Sequence, residues 1–159
     1  MQLTRGADYG VRVMIQLALP ENDGQRHSLP ELAEATEAPE SFLSKVLQSL
    51  TRAGLITSRR GQAGGFRITP RGRQSSMREV IEAVDGPICL NACLVHGRSC
   101  ARKAHCPAHP VWARAQQAMF DVLSNVTVAA LATQTAPASQ IHAPAGIQIV
   151  RAPANPTRE

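Results

Sequence analysis

The sequence predicts a mainly α-helical fold with one small β-hairpin, and three observations carry that expectation. Apolar residues recur at three- and four-residue spacing in several segments; Ser28 and Ser76 are each followed three residues later by a glutamate; and a single glycine-containing stretch, 61–65, separates two short alternating runs. At 159 residues, with 43% hydrophobic and 18% charged content, the chain suits one compact domain or two small ones. Aromatic residues make up only 3%, too few for a base-stacking single-strand binder or a sugar-binding groove, so aliphatic helix packing must build the core. No apolar run approaches the roughly 20 residues of a membrane-spanning helix, and Met1 to Gly6 has no hydrophobic signal region. The expectation is a cytoplasmic protein, neither secreted nor membrane-bound.

Asp8 to Leu19 reads as a largely buried first helix, stopped by Pro20-Glu21-Asn22-Asp23-Gly24. Ser28-Leu29-Pro30-Glu31 has the form of a capping box and opens a short second helix, Leu29 to Ala35. Glu40 to Ala53 places Phe42, Leu43, Val46, Leu47 and Leu50 on one face, with Ser41, Ser44, Lys45, Gln48 and Arg52 on the open side, and Gly54 ends this third helix. Leu55 to Ser58 and Phe66 to Thr69 form the hairpin, whose tip carries Arg59 and Arg60. Ser76-Met77-Arg78-Glu79 repeats the capping box before a fourth helix that Asp85-Gly86-Pro87 closes. A cysteine-bearing loop runs from Pro87 to Ala108. From Pro110, the residues Val111, Trp112, Ala115, Ala118, Met119, Val122 and Leu123 mark a long helix with a continuous apolar stripe. A small domain buries such a stripe most naturally against a symmetry mate, which predicts a homodimer. Thr127 to Ala132 adds one more turn, and the Ala/Pro/Gln-rich remainder reads as disordered.

The net charge of +5 is unevenly spread: residues 41–80 carry +7 and the rest −2. Three helices, the second and third joined tightly, followed at once by a basic-tipped hairpin, is the order of a winged helix-turn-helix, and that order explains the charge. The third helix would lie in the major groove of double-stranded DNA, with Ser41, Ser44, Lys45 and Gln48 facing base edges or phosphates. Arg59 and Arg60 on the wing would reach the adjacent minor groove or its phosphates. The expected organisation is a DNA-binding domain over 1–86, a cysteine loop over 87–108, a dimerisation helix over 109–132 and a tail over 133–159.

All four cysteines, Cys89, Cys93, Cys100 and Cys106, fall within 18 residues. In a reducing compartment such a cluster reads first as a metal or iron–sulfur site. Clustered thiols without a fixed base give no reason for a nucleophilic enzyme, so none is expected. Zinc is the main rival, although structural zinc sites favour C-x2–4-C knuckles and only Cys89-x3-Cys93 approaches one.

Met1-Gln2-Leu3-Thr4, Pro39-Glu40-Ser41-Phe42-Leu43, the run from Gly54 to Gly61 into Gly64-Gly65-Phe66, Glu79 to Gly86 and the cysteine loop, taken as an ordered set, resemble the dimeric iron–sulfur transcription regulators that include IscR and NsrR. The likeness spans roughly residues 1–132. It implies a homodimer on a palindromic promoter site, with a labile cluster that alters DNA affinity and Arg60 as the wing arginine; the expected mode of regulation is repression. Cys93, Cys100 and Cys106, spaced C-x6-C-x5-C, come close to the family's three cluster cysteines, with one residue more in the first gap than some members have. The fourth ligand stays open. His109 matches the histidine of IscR-like members and would suit a two-iron centre; Asp8 matches the aspartate that NsrR-like members supply from the partner chain and would suit a four-iron centre. Cys89, extra to the family pattern, is either a ligand or a small apolar residue, and His96 and His105 are expected to face solvent. Such a cluster could report redox state, nitric oxide or iron and cluster supply. The competing readings are a zinc- or thiol-based redox regulator and an electron carrier or cluster-transfer protein that binds no DNA.

Overall fold

The computed structural model describes residues 3–61, 63–95 and 100–134. Helix α1 spans Arg5–Ala18 and begins three residues ahead of the expected Asp8, because Thr4 caps it: its hydroxyl accepts from Ala7 N and donates to the Asp85 carboxylate at 2.7 Å. A 3-10 turn, Pro20–Asn22, leads to α2, Leu29–Thr36, whose Ser28–Glu31 capping box forms as expected. Helix α3, Glu40–Arg52, buries Leu43, Val46, Leu47 and Leu50, and Gly54 follows it with φ +71°, a left-handed turn that a side chain would resist. Phe42 departs from the expected buried face: it is 44% exposed and meets Tyr9 edge-on at 5.9 Å.

Strands β1, Ile56–Arg59, and β2, Gly65–Ile68, pair antiparallel with Ser58 opposite Phe66 and Arg59 opposite Gly65. His27 extends this wing, since its backbone exchanges two hydrogen bonds with Phe66 at 2.8 and 2.9 Å. The wing is thereby anchored to the segment entering α2.

Helix α4, Pro70–Gln74, has no counterpart in the sequence expectations. Five residues are too short to show a period; tertiary contacts form it instead. Thr69 caps it by accepting from Gly72 N, and Arg73 donates to the Ala18 carbonyl and pairs with Asp23. Helix α5, Met77–Asp85, opens with the predicted Ser76–Glu79 capping box. The principal core gathers Met14, Leu17, Leu32, Leu43, Leu47, Leu50, Leu55 and Val80 between α1, α2, α3, the wing and α5.

Two 3-10 turns, Ala92–Leu94 and Lys103–His105, shape the cysteine segment, and the long helix α6, Ala108–Ser124, starts two residues before the expected Pro110. Proline is tolerated in that first turn, where its missing N–H has no partner to lose. The expected single stripe of α6 is two faces. Met119 and Leu123, joined by Phe120, pack on a second small core of Ala7, Ile81 and Ile88, whereas Val111, Trp112 and Val122 lie open, 64%, 41% and 49% exposed.

After α6 the chain turns back. Val128 N donates to Ser75 O at 2.9 Å and Met77 N to Val126 O at 2.8 Å, and α7, Val128–Thr133, inserts Val128 and Ala132 into the principal core. Thr133, assigned to the tail by sequence, thus closes a helix; the expected disorder beyond it concerns residues 135–159, outside the described ones. Among the described residues no helix is long and apolar enough to cross a membrane.

Candidate functional site

The outer side of α3 and the wing share one surface. Ser41, Lys45, Gln48, Arg59 and Arg60 are exposed and Ser44 half-buried, because the buried heptad of α3 turns the opposite side inward. The segment's cations divide by use. Arg71 donates to the Ala53 carbonyl, Arg73 is held by Ala18 and Asp23, and Arg78 lies over the Phe120 ring at 3.6 Å and pairs with Glu82 at 3.2 Å. These three brace the fold. Arg52, Arg59 and Arg60 have no carboxylate partner among the described residues, and with Gln48, Thr51 and Phe66 they border a groove of about 490 Å³ between α3 and the wing. Arg52, one helical turn after Gln48 on the same side of α3, is absent from the expected DNA-contact set; its i, i+4 spacing from Gln48 was the signal.

The four thiols are free. Cys93 is half-buried within the 3-10 turn Ala92–Leu94, Cys100 is exposed, and Cys106 is half-buried just ahead of α6, its carbonyl accepting from His109 N. Cys89 is half-buried with its Sγ 4.0 Å from the Leu94 carbonyl. Among the described residues, no three His, Cys, Asp or Glu side chains come together as a metal-holding group. Each fourth-ligand candidate has a distinct environment. Asp8 pairs with Arg12 at 2.8 Å on an exposed face of α1. His109 stands in the first turn of α6 with Nδ1 buried and without a hydrogen-bond partner. Although the side chains are not gathered, an orphaned imidazole nitrogen in the same segment as free thiols fits the donor types of an iron–sulfur centre, since a buried polar atom without a partner is costly. His105 is exposed as expected, and His96 lies outside the described residues.

Sequence reasoning did not anticipate how this segment is tethered. The Glu82 carboxylate of α5 accepts from Ile88 N at 3.4 Å, and Gln116 of α6 accepts from Leu90 N at 3.0 Å. Two different helices therefore grip the stretch that leads to Cys93. No local motif encodes either bond.

Hydrogen bonds from the Ser28 and Ser76 backbones hold the Glu31 and Glu79 carboxyls below the usual glutamate range, which marks helix caps rather than chemistry.

Comparison with known proteins agrees with this geometry. Residues 3–134 match the Rrf2 family, whose description is iron-dependent transcriptional regulator. Protein aau3 of Rhizobium meliloti is 31% identical over 129 residues, which are 80% of this chain and 82% of that protein. The HTH-type transcriptional regulator IscR of Photobacterium profundum is 30% identical over 132 residues, covering 82% and 75%. Among solved structures, CymR, the global cysteine regulator of B. subtilis, superposes with a TM-score of 0.65 at 26% identity, covering 86% of this chain and 99% of its own. The expected IscR/NsrR assignment is thus broadened, because CymR-type and IscR-type proteins both resemble the chain. The family match takes in α3, the wing, the cysteine segment and α6 as one unit, so the chain belongs to the Rrf2 family of winged-helix transcriptional regulators, which bind DNA and are not enzymes.

Proposed function

We propose that two copies of this chain, joined along the open face of α6, bind a palindromic promoter site in the cytoplasm and repress transcription under the control of an iron–sulfur centre. The observation that carries this reading is the double tether of the cysteine segment: Glu82 holds it to α5 of the DNA-binding body and Gln116 to α6. A change in that segment is felt by both helices at once. Cys93, Cys100 and Cys106 would hold the cluster, and the unpartnered Nδ1 favours His109 as fourth ligand. Asp8 is already ion-paired and Cys89 is turned toward a backbone carbonyl, although an exposed i, i+4 pair such as Asp8–Arg12 is worth only about 0.3–0.5 kcal/mol and would yield to a stronger partner. When bound, the cluster supplies a redox- and iron-responsive charge centre; the chain's residues hold it and transmit its presence. A hundredfold change in promoter affinity requires a bias of about 2.7 kcal/mol between the two DNA-binding geometries.

The iron dependence in the family's description and the IscR relative support this sensor, as does the exposed stripe of Val111, Trp112 and Val122, which supports the dimer. The decisive experiment is purification without air, an absorption spectrum, an iron and sulfide count, and duplex binding with and without the cluster. Visible absorption with stoichiometric iron and sulfide, and unequal binding by the two forms, is the expected result. Colourless, iron-free protein even after reconstitution would remove the cluster.

One alternative has its own observation. The ungathered donors among the described residues, and the likeness to CymR of Staphylococcus aureus, which is also solved in an oxidized form, favour a thiol-based redox regulator that needs no metal. Zinc-free, iron-free protein whose DNA affinity changes on oxidation would select it.

A further inference from the structure

We infer that the groove between α3 and the wing seats a DNA backbone phosphate, and that Arg52, with Arg59 opposite, is the residue that grips it. This deepens the DNA-binding reading and rests on it. A recognition helix in the major groove and a wing in the adjacent minor groove must have a sugar–phosphate strand between them, since that strand is the boundary of the two grooves. In this protein the space between those elements is a groove of about 490 Å³.

Its lining suits a phosphodiester. Arg52 comes from α3 and Arg59 and Arg60 from the wing, and among the described residues no acidic one borders the groove. The Arg52 guanidinium is steadied by one bond to Ser49 Oγ at 3.2 Å, which leaves most of its five N–H donors unused. Thr51 contributes no donor, because its hydroxyl is turned back to the Leu47 carbonyl at 2.7 Å. Arg71, Arg73 and Arg78, equally cationic in sequence, are each committed to carbonyls, carboxylates or a ring. Arg52 therefore differs from Lys45 and Gln48, which lie further toward the start of the helix that enters the groove of bases: its contact would carry affinity without sequence preference.

The test uses the full-length dimer and a duplex that the wild-type protein selects from a random-sequence pool, with binding measured from low to moderate salt. Each neutralised phosphate contributes about 0.9 to the slope of log affinity against log salt. Arg52→Ala should reduce that slope by roughly 2 per dimer, one contact per protomer, and weaken every duplex alike. Arg52→Lys, which keeps the charge, should restore most of the slope. Thermal unfolding of the variants should match wild type, because Arg52 is exposed. An unchanged slope in Arg52→Ala, while Arg60→Ala loses affinity, would overturn the assignment and leave the DNA-binding reading intact. A changed base preference on reselection would also overturn it, as the mark of a base contact. Wild-type protein that selects no duplex at all would instead sink the DNA-binding reading itself.

Discussion

Replacing Gly72 with alanine sets two physical tendencies against each other at the base of the wing. Inside a helix, and free of contacts, that change stabilises by about 1 kcal/mol. At Gly72, however, a Cβ would lie 2.0 Å from the Leu55 carbonyl oxygen, 2.9 Å from its carbon and 3.1 Å from Ile68 Cγ1. Non-bonded heavy atoms rest about 3.5–4.0 Å apart, so α4 and Leu55 must separate by more than about 1 Å. Forced expansion of that kind costs about 1–3 kcal/mol. It also strains the bonds that the Leu55 carbonyl accepts from Thr69 N and Thr69 Oγ1, both 3.0 Å, each worth about 0.5–1.5 kcal/mol. The net expectation is a loss of about 2–3 kcal/mol, or roughly 5–10 °C in Tm for a chain of this size. The assay is thermal unfolding at fixed protomer concentration, because association shifts the midpoint. Gly10→Ala is the comparison: its Cβ would crowd only a side-chain methyl, Val84 Cγ2 at 2.9 Å, with Val46 Cγ1 and Val80 Cγ1 at ordinary contact, 3.6 and 3.9 Å, and the half-buried Val84 can shift where a backbone carbonyl cannot. It should lose clearly less. A Gly72→Ala protein as stable as wild type would refute the close packing of α4 on Leu55.

Three other perturbations have defined outcomes. Trp112→Glu should turn the dimer into a monomer by sedimentation and shift promoter binding to far higher protein concentrations, since it charges the open face of α6; the fold of the monomer should survive, as Trp112 is 41% exposed in the protomer. Glu79 has its pKa lowered below the ordinary 4.5 by the Ser76 backbone bond, so its contribution is complete above that value and is lost as pH falls through the folded-state one. Wild type should therefore lose stability on acidification from pH 5 to 3 more steeply than Glu79→Gln, and urea midpoints across that range measure it. Gln116→Leu removes the acceptor for Leu90 N and should speed hydrogen exchange over residues 88–95 while leaving the unfolding midpoint nearly unchanged.

The elements legible in the sequence are those whose cause is local. Ser28 with Glu31 and Ser76 with Glu79 sit three residues apart, and both capping boxes form. Gly54 stops α3 for a reason contained in one residue. Helix α4 shows the opposite case: its cap is Thr69, but what holds it is Leu55, Ala18 and Asp23, all distant in sequence. The stripe of α6 was legible as a period but not as a division. Periodicity cannot tell which apolar residues meet the same chain, as Met119 and Leu123 do, and which it leaves open, as Val111 and Trp112 are.

The functional residues divide along the same line. Counting cations over residues 41–80 pointed to DNA, yet three of the eight serve the fold, and only geometry separates Arg71, Arg73 and Arg78 from Arg52, Arg59 and Arg60. That separation has an energetic reason. A guanidinium already bonded to a carbonyl or stacked on a ring would lose those contacts on turning to phosphate, whereas one facing open solvent gains the contact and releases counterions. The same reasoning applies to the cysteine segment. Its thiols advertise their chemistry by clustering in the sequence, but its path is drawn by Glu82 and Gln116 through backbone bonds to residues that are not cysteines. On the function proposed above, a sensor built this way would need its ligands to be reactive and its tethers to be firm, and only the first requirement leaves a pattern that spacing alone reveals.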